Sequence, residues 1–128
     1  MKKRKITTKA APSPIATYSQ GIGINNRLYV AGQGPLDVTT NTMPTTVEEQ
    51  TEQVIKNIST ILEEGGFCLD DVVKVNVYLA DLKDFEKFDK AYRKYFEEPL
   101  PVRTTVGCEL LDVLVEIDVI AEKPSDLA

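Results

Sequence analysis

Apolar residues recur along this chain in two periods, and the switch between them lays out its elements. Two short strand-like runs, 18–24 and 27–32, flank Asn25-Asn26. Asparagine tolerates positive φ, so the pair predicts a two-residue hairpin turn. Gln33-Gly34-Pro35-Leu36-Asp37 breaks the second strand, and the polar segment 38–45 with its single proline reads as a loop. Thr46-Val47-Glu48-Glu49 is a capping-box pattern, with Thr46 as N-cap and Glu49 at the third helical position. Val54, Ile55, Ile58, Ile61 and Leu62 follow at helical spacing and Gly65-Gly66 closes the run, which predicts a helix over 46–64. From 72 to 79 the period drops to two, placing Val73, Val75, Val77 and Leu79 on one face of a strand. Asp84 is placed to cap a second helix with Phe85, Phe88, Tyr92, Tyr95 and Phe96 on one stripe, ended by Pro99 and Pro101. Segments 102–108 and 113–121 are the last two strands.

The order ββ-α-β-α-ββ predicts an α+β domain, a mixed sheet with both helices on one face. Several strands carry apolar residues on both faces, more than one helical layer can cover, so self-association is expected. A length of 128 residues bounds the chain to one domain, 1–128. Within it, 1–10 is expected as a flexible lead and 122–128 as a flexible tail, and Ala11-Pro12-Ser13-Pro14 ends an extended lead-in.

Charge and composition then remove function classes. The net charge is −5, so the chain lacks the basic footprint that supplies most nucleic-acid affinity. The one basic run, Lys2-Lys3-Arg4-Lys5, reads as a solvated terminus. No apolar run approaches the ~18 residues of a membrane helix. The basic start meets Ile6-Thr7-Thr8-Lys9 rather than an apolar stretch, which predicts no secretory leader and a cytoplasmic protein. Cys68 and Cys108 have no metal spacing and are expected as reduced, buried residues. There is no histidine. Histidine-based triads, dyads and zinc sites are therefore excluded, and chemistry must run on Arg, Asp/Glu, hydroxyls, backbone and water.

The candidate chemistry sits in Pro101-Val102-Arg103-Thr104-Thr105-Val106-Gly107 and in Val115-Glu116-Ile117. Arg103 is mounted on a stiff β-branched strand, where its guanidinium fits a carboxylate or phosphate bidentately. The alternative is a strand-end salt bridge to Glu97, Glu98 or Asp112. Glu116 shares a strand face with Leu114, Asp118 and Ile120. It is either a solvent-face residue or a partly buried carboxylate able to act as a base. If the two strands pair, they build an anion clamp facing a water activator. Tyr18 opens the first hairpin, as a packing residue or a site wall. Gly32-Gln33-Gly34-Pro35 leaves a strand with backbone amides available, as an ordinary turn or as a carbonyl-binding wall. The 85–96 aromatic stripe reads as core, with Asp89 at its edge.

Together these segments resemble the RidA family, also called YjgF or reactive-intermediate deaminases. The segments that carry the likeness are Tyr18-Ser19-Gln20-Gly21, Ala31-Gly32-Gln33-Gly34-Pro35-Leu36-Asp37, Val75-Asn76-Val77-Tyr78-Leu79 with Asp81-Leu82-Lys83-Asp84-Phe85, and Pro101 through Ile117. It runs from about Ala11 to Ala121. The resemblance implies a chorismate-mutase-like (bacillary) fold assembled as a homotrimeric barrel, with sites in the clefts between subunits. It implies hydrolysis of 2-imino acids, products of pyridoxal-phosphate enzymes, to 2-keto acids and ammonia, with no metal or organic cofactor. Arg103 would grip the substrate carboxylate, Glu116 would orient or activate water, and Thr105 would contribute backbone. Tyr18, Gly32, Gln33 and Asp89 would line the substrate pocket. Partners would be the small imino/keto acid and further copies of the chain, with neither nucleic acid nor membrane. A non-catalytic binder of small carboxylates and an endoribonuclease or translation inhibitor are the alternatives on the same scaffold. Three departures accompany the likeness. The 108–114 stretch is about two residues short, Asp89 stands where many members carry asparagine, and Ala16-Thr17 replaces the usual Gly-Pro.

Overall fold

The computed structural model describes residues 2–124. Six strands, β1 (Arg4–Ile6), β2 (Gly21–Ile24), β3 (Arg27–Gln33), β4 (Val72–Leu79), β5 (Val102–Gly107) and β6 (Val115–Glu122), form one sheet in the order β1-β2-β3-β6-β4-β5. Only β4 and β5 run parallel; the other neighbours are antiparallel. Helix α1 (Val47–Glu64) packs over β3 and β6, and α2 (Phe85–Tyr92) packs against α1. The α+β architecture expected from the periodicity is therefore the one observed.

The helix-facing side of the sheet is the core. Leu28, Val30, Val75, Val77, Leu79, Val115, Ile117 and Val119 meet Val54, Ile55, Ile58, Ile61 and Leu62 of α1 there, all buried. The opposite face carries Tyr29, Asn76, Tyr78, Glu116, Asp118 and Ile120, each half-buried or exposed. Among the described residues no element lies over it.

Local signals act much as the sequence predicts. Asn25 takes φ 53° in the β2–β3 turn, and Gly66 takes φ 85° after α1. The Thr46 hydroxyl accepts from the Glu49 N–H at 3.2 Å and donates to the Glu49 carboxylate at 2.9 Å, so the cap is built although the reciprocal half is side chain to side chain.

Several expectations are corrected. Arg4–Ile6 is not a loose lead but an edge strand paired with Gly21–Gly23 of β2. Val73 leaves the inner face because Val72 pairs with Ala121 and Lys74 with Ile120; the extra residue bulges outward and is 43% exposed. Asp84 makes no side-chain cap. Asp81 accepts instead from the Lys83 N–H, opening a 3-10 turn (Leu82–Asp84) that leads into α2. Helix α2 stops at Tyr92, yet Tyr92 and Phe96 still stack, 4.6 Å between ring centroids, so the aromatic core outlasts the helix. Cys68 and Cys108 are exposed rather than buried, the first in a turn and the second just beyond the end of β5. Of the expected tail, Glu122 belongs to β6 and 125–128 lie outside the described residues.

Candidate functional site

The Arg103 and Glu116 strands do not pair, because β4 lies between them. Val75 is opposite both Arg103 on β5 and Val119 on β6, and Tyr78 is opposite Glu116. Two strand spacings and three residues of offset put the two Cα atoms about 14 Å apart. Their side chains also leave the sheet on opposite faces. Arg103 pairs with Val75 toward the helices, and Glu116 pairs with Tyr78 on the uncovered side. The seven candidate residues accordingly divide into two groups.

The first group is on the helix face of β5. The Arg103 guanidinium carbon lies 4.6 Å from the Tyr92 ring centroid, 5.3 Å from that of Phe88 and 5.5 Å from that of Phe85. Cation–π attraction and packing on three rings hold the head group in place. Its ion-pair partner is neither Glu97, Glu98 nor Asp112. It is Asp89, one turn before the α2 C-cap Arg93, whose Oδ1 accepts from Arg103 Nη1 at 2.8 Å. Asp89 Oδ2 accepts from Arg93 Nη2 at 3.1 Å. Burial pushes the Asp89 carboxyl upward, but the hydrogen bonds and charges of Arg103 and Arg93 outweigh it and hold the group below its ordinary range. Asp89 is thus an anion across the neutral range, tied to the Arg103 guanidinium. Thr105 follows Arg103 on the same side of β5, opposite Val77.

The second group surrounds a cavity of about 260 Å³ lined by Tyr18, Gly32, Gln33, Leu111 and Glu116, among others. A bulge between Val30 and Gln33 carries Ala31-Gly32 past β6. A Cβ placed on Gly32 would stand 2.7 Å from Glu116 Oε2, so only glycine lets that carboxylate lie against the strand. Burial first, and the neighbouring Asp118 charge second, raise the Glu116 carboxyl above its ordinary range. Asp118 itself accepts from Asn76 Nδ2 at 2.9 Å and the Tyr78 hydroxyl at 3.0 Å. The Tyr18 hydroxyl accepts from the Ile15 N–H at 3.3 Å and so ties its own loop across the cavity rim.

Sequence reading missed the side chains that fix this cavity's walls. Gln20, Gln50 and Asn57 are buried amides that fasten the surrounding loops. Gln20 accepts from the Thr8 N–H at 2.7 Å and donates to the Pro12 carbonyl at 2.8 Å. Asn57 donates to the Gly34 and Leu36 carbonyls at 3.0 and 2.9 Å. Gln50 donates to the Pro44 carbonyl at 2.9 Å and accepts from the Leu114 N–H at 2.8 Å. Their signal was present, as lone amides on the apolar stripe of α1 and in β2's approach, where a buried polar group must have a partner.

The comparisons with known proteins show the family. The family model described as Endoribonuclease L-PSP matches residues 8–123. A RutC family protein of Saccharolobus solfataricus is 50% identical over 124 residues, 94% of this chain and 98% of that one. A 2-iminobutanoate/2-iminopropanoate deaminase of Dermatophagoides farinae is 37% identical over 106 residues, 82% of this chain and 83% of the relative. The crystal structure of RidA from an Antarctic Psychrobacter superposes with a TM-score of 0.89 at 37% identity, covering 94% of this chain and 99% of that one. No helix among the described residues is long and apolar enough to cross a membrane.

Proposed function

The chain belongs to the endoribonuclease L-PSP family, also known as RidA or YjgF, and we propose that it hydrolyses 2-imino acids to 2-oxo acids and ammonia. The observation that carries this reading is the division of labour between the two groups. An arginine held on three aromatic rings suits a small carboxylate, and Glu116 beside an open cavity suits a water. The relative from Dermatophagoides, named for this activity, supports the same reading.

The two groups of one chain are too far apart, and on the wrong faces, to hold one small substrate. We therefore propose that copies of the chain associate through the uncovered sheet face and the exposed β5 edge, three in number by the family resemblance. Arg103, Asp89 and Thr105 of one copy then face Tyr18, Gly32, Gln33 and Glu116 of its neighbour. Val102 at 67% exposed and Tyr18 at 46% are apolar surface that such an interface would cover.

In that cleft the substrate carboxylate accepts from Arg103. A protonated C=N bond is already electrophilic, so positioning and one acid–base group suffice. Glu116 takes a proton from water as its oxygen adds to the imine carbon. The proton returns to nitrogen; as the C–N bond breaks and ammonia leaves, Glu116 takes the remaining hydroxyl proton, the carbonyl forms, and that proton passes on to the departing ammonia as ammonium. Neither histidine nor metal enters this scheme.

The direct test generates 2-iminobutanoate in situ with an amino-acid oxidase while semicarbazide competes for it. Wild-type protein is expected to suppress semicarbazone formation; unchanged formation for every imine tried would sink the deaminase reading. The endoribonuclease reading is favoured by the family's description. It predicts RNA cleavage by this histidine-free chain under the same buffer conditions.

The pH profile carries a further expectation. Because the base form of Glu116 is the working form, kcat/KM falls on acidification. The midpoint should lie above the ~4.3 of an ordinary glutamate. Asp118→Asn removes the second cause of the rise, so its acid limb should move to lower pH. A profile with no acid limb near the carboxylate range would remove Glu116 from the role.

A further inference from the structure

Asp89 brings a fixed negative charge to the cation proposed to anchor the substrate. Its Oδ1 sits 2.8 Å from Arg103 Nη1, and the Asp89 side chain is 29% exposed. Its other oxygen meets Arg93, but that side chain is 70% exposed, so water screens much of the compensating charge. Any ligand carboxylate accepting from the same guanidinium lies within roughly 4–6 Å of the Asp89 carboxylate. Two anions on one guanidinium repel each other, in a site walled on one side by Phe85, Phe88 and Tyr92.

We propose that Asp89 is a charge-selectivity residue. It makes the site prefer carboxylic acids with a cationic nitrogen on the adjacent carbon over the corresponding 2-oxo acid anions. The inference rests on Arg103 being the carboxylate anchor. A 2-imino acid protonated at nitrogen is a net-neutral zwitterion, whose cation offsets the Asp89 field. The 2-oxo acid formed from it has lost that cation and carries a net charge of −1. Substrate and product differ little in shape, so shape alone discriminates weakly between them. Asp89 distinguishes them by charge and favours departure of the product. An amide at the same position keeps a hydrogen-bond acceptor for Arg103 and carries no such preference.

The experiment is equilibrium binding by calorimetry at fixed ionic strength with two stable probes sharing one carbon skeleton, 2-oxobutanoate and L-2-aminobutanoate. Asp89→Asn is expected to tighten 2-oxobutanoate about tenfold and to change L-2-aminobutanoate by less than about threefold. Arg93→Gln, which leaves Asp89 wholly on Arg103, is expected to weaken 2-oxobutanoate about twofold. A purely structural role for Asp89 would move both probes together and would overturn the proposal. So would Asp89→Asn moving neither probe, or 2-oxobutanoate binding detectably to neither wild type nor Asp89→Asn. Arg103→Ala separates this failure from that of the anchor. If it loses both probes while Asp89→Asn leaves their ratio unchanged, the selectivity role falls and the anchor stands. If it loses neither, the anchor falls and the inference with it.

Discussion

Arg103→Ala is expected to lower kcat/KM for 2-iminobutanoate hydrolysis by two to three orders of magnitude in a protein that remains folded. Truncating one partner of a charge-assisted, partly desolvated pair costs about 2–5 kcal/mol, which is the size of that loss. The fold survives for a local reason. Arg103 lies on an edge strand at 20% side-chain exposure, and Asp89 keeps Arg93 and water as partners once the guanidinium is gone. Far-ultraviolet circular dichroism and the thermal midpoint report that survival separately from turnover. Arg103→Lys is the informative companion. It keeps a positive charge but not the planar fork or the stacking on Tyr92, so it should recover only part of the activity. An Arg103→Ala protein with wild-type kcat/KM would remove Arg103 from the site. Loss of ligand binding in Arg103→Ala, with wild type binding but never turning over an imine, would make the chain a small-carboxylate binder on this scaffold.

How far this site was legible depends on how local its signals are. Thr46 with Glu49, Asn25-Asn26 and the α1 apolar stripe each act within a few residues, and each produced the element expected of it. Strand neighbours are not local. Nothing in 102–121 says that β4 inserts between β5 and β6, and that insertion is what parts Arg103 from Glu116. The Val73 bulge was hidden for a related reason, since a period-two pattern does not mark a place where one strand carries an extra residue. The position of Asp89 on α2 reads as the edge of a core stripe. Its bond to Arg103 joins residues 14 apart in sequence and depends on how α2 leans over β5. The buried amides Gln50 and Asn57 were visible as interruptions of an apolar helix face, yet what they hold was not, because their partners are loop carbonyls without sequence identity of their own.

The separation of Arg103 and Glu116 within one chain makes the second large effect a matter of complementation. Glu116→Gln is expected to lose about a hundredfold in kcat, the usual contribution of a positioned acid–base group, and Arg103→Ala is nearly inactive for its own reason. If each site takes Arg103 from one copy and Glu116 from the next, a mixed ring contains sites in which both residues are wild type. Dissociating and reassociating the two variants in equal amounts makes such sites about one in four, so activity should return to roughly a quarter of wild type. Mixing without subunit exchange should restore nothing, which controls for contamination and for trace turnover by either parent. The double variant Arg103→Ala/Glu116→Gln, reassociated with wild type at equal amounts, should likewise leave about a quarter of the sites intact, where independent intrachain sites would leave about half. Recovery to a quarter in the first mixture together with a quarter in the second assigns the site to two copies. No recovery in the first and a half in the second would assign it to one chain. The sheet would then have to deform enough to bring residues on its opposite faces together, against a core in which Val75, Val77 and Ile117 are almost wholly buried.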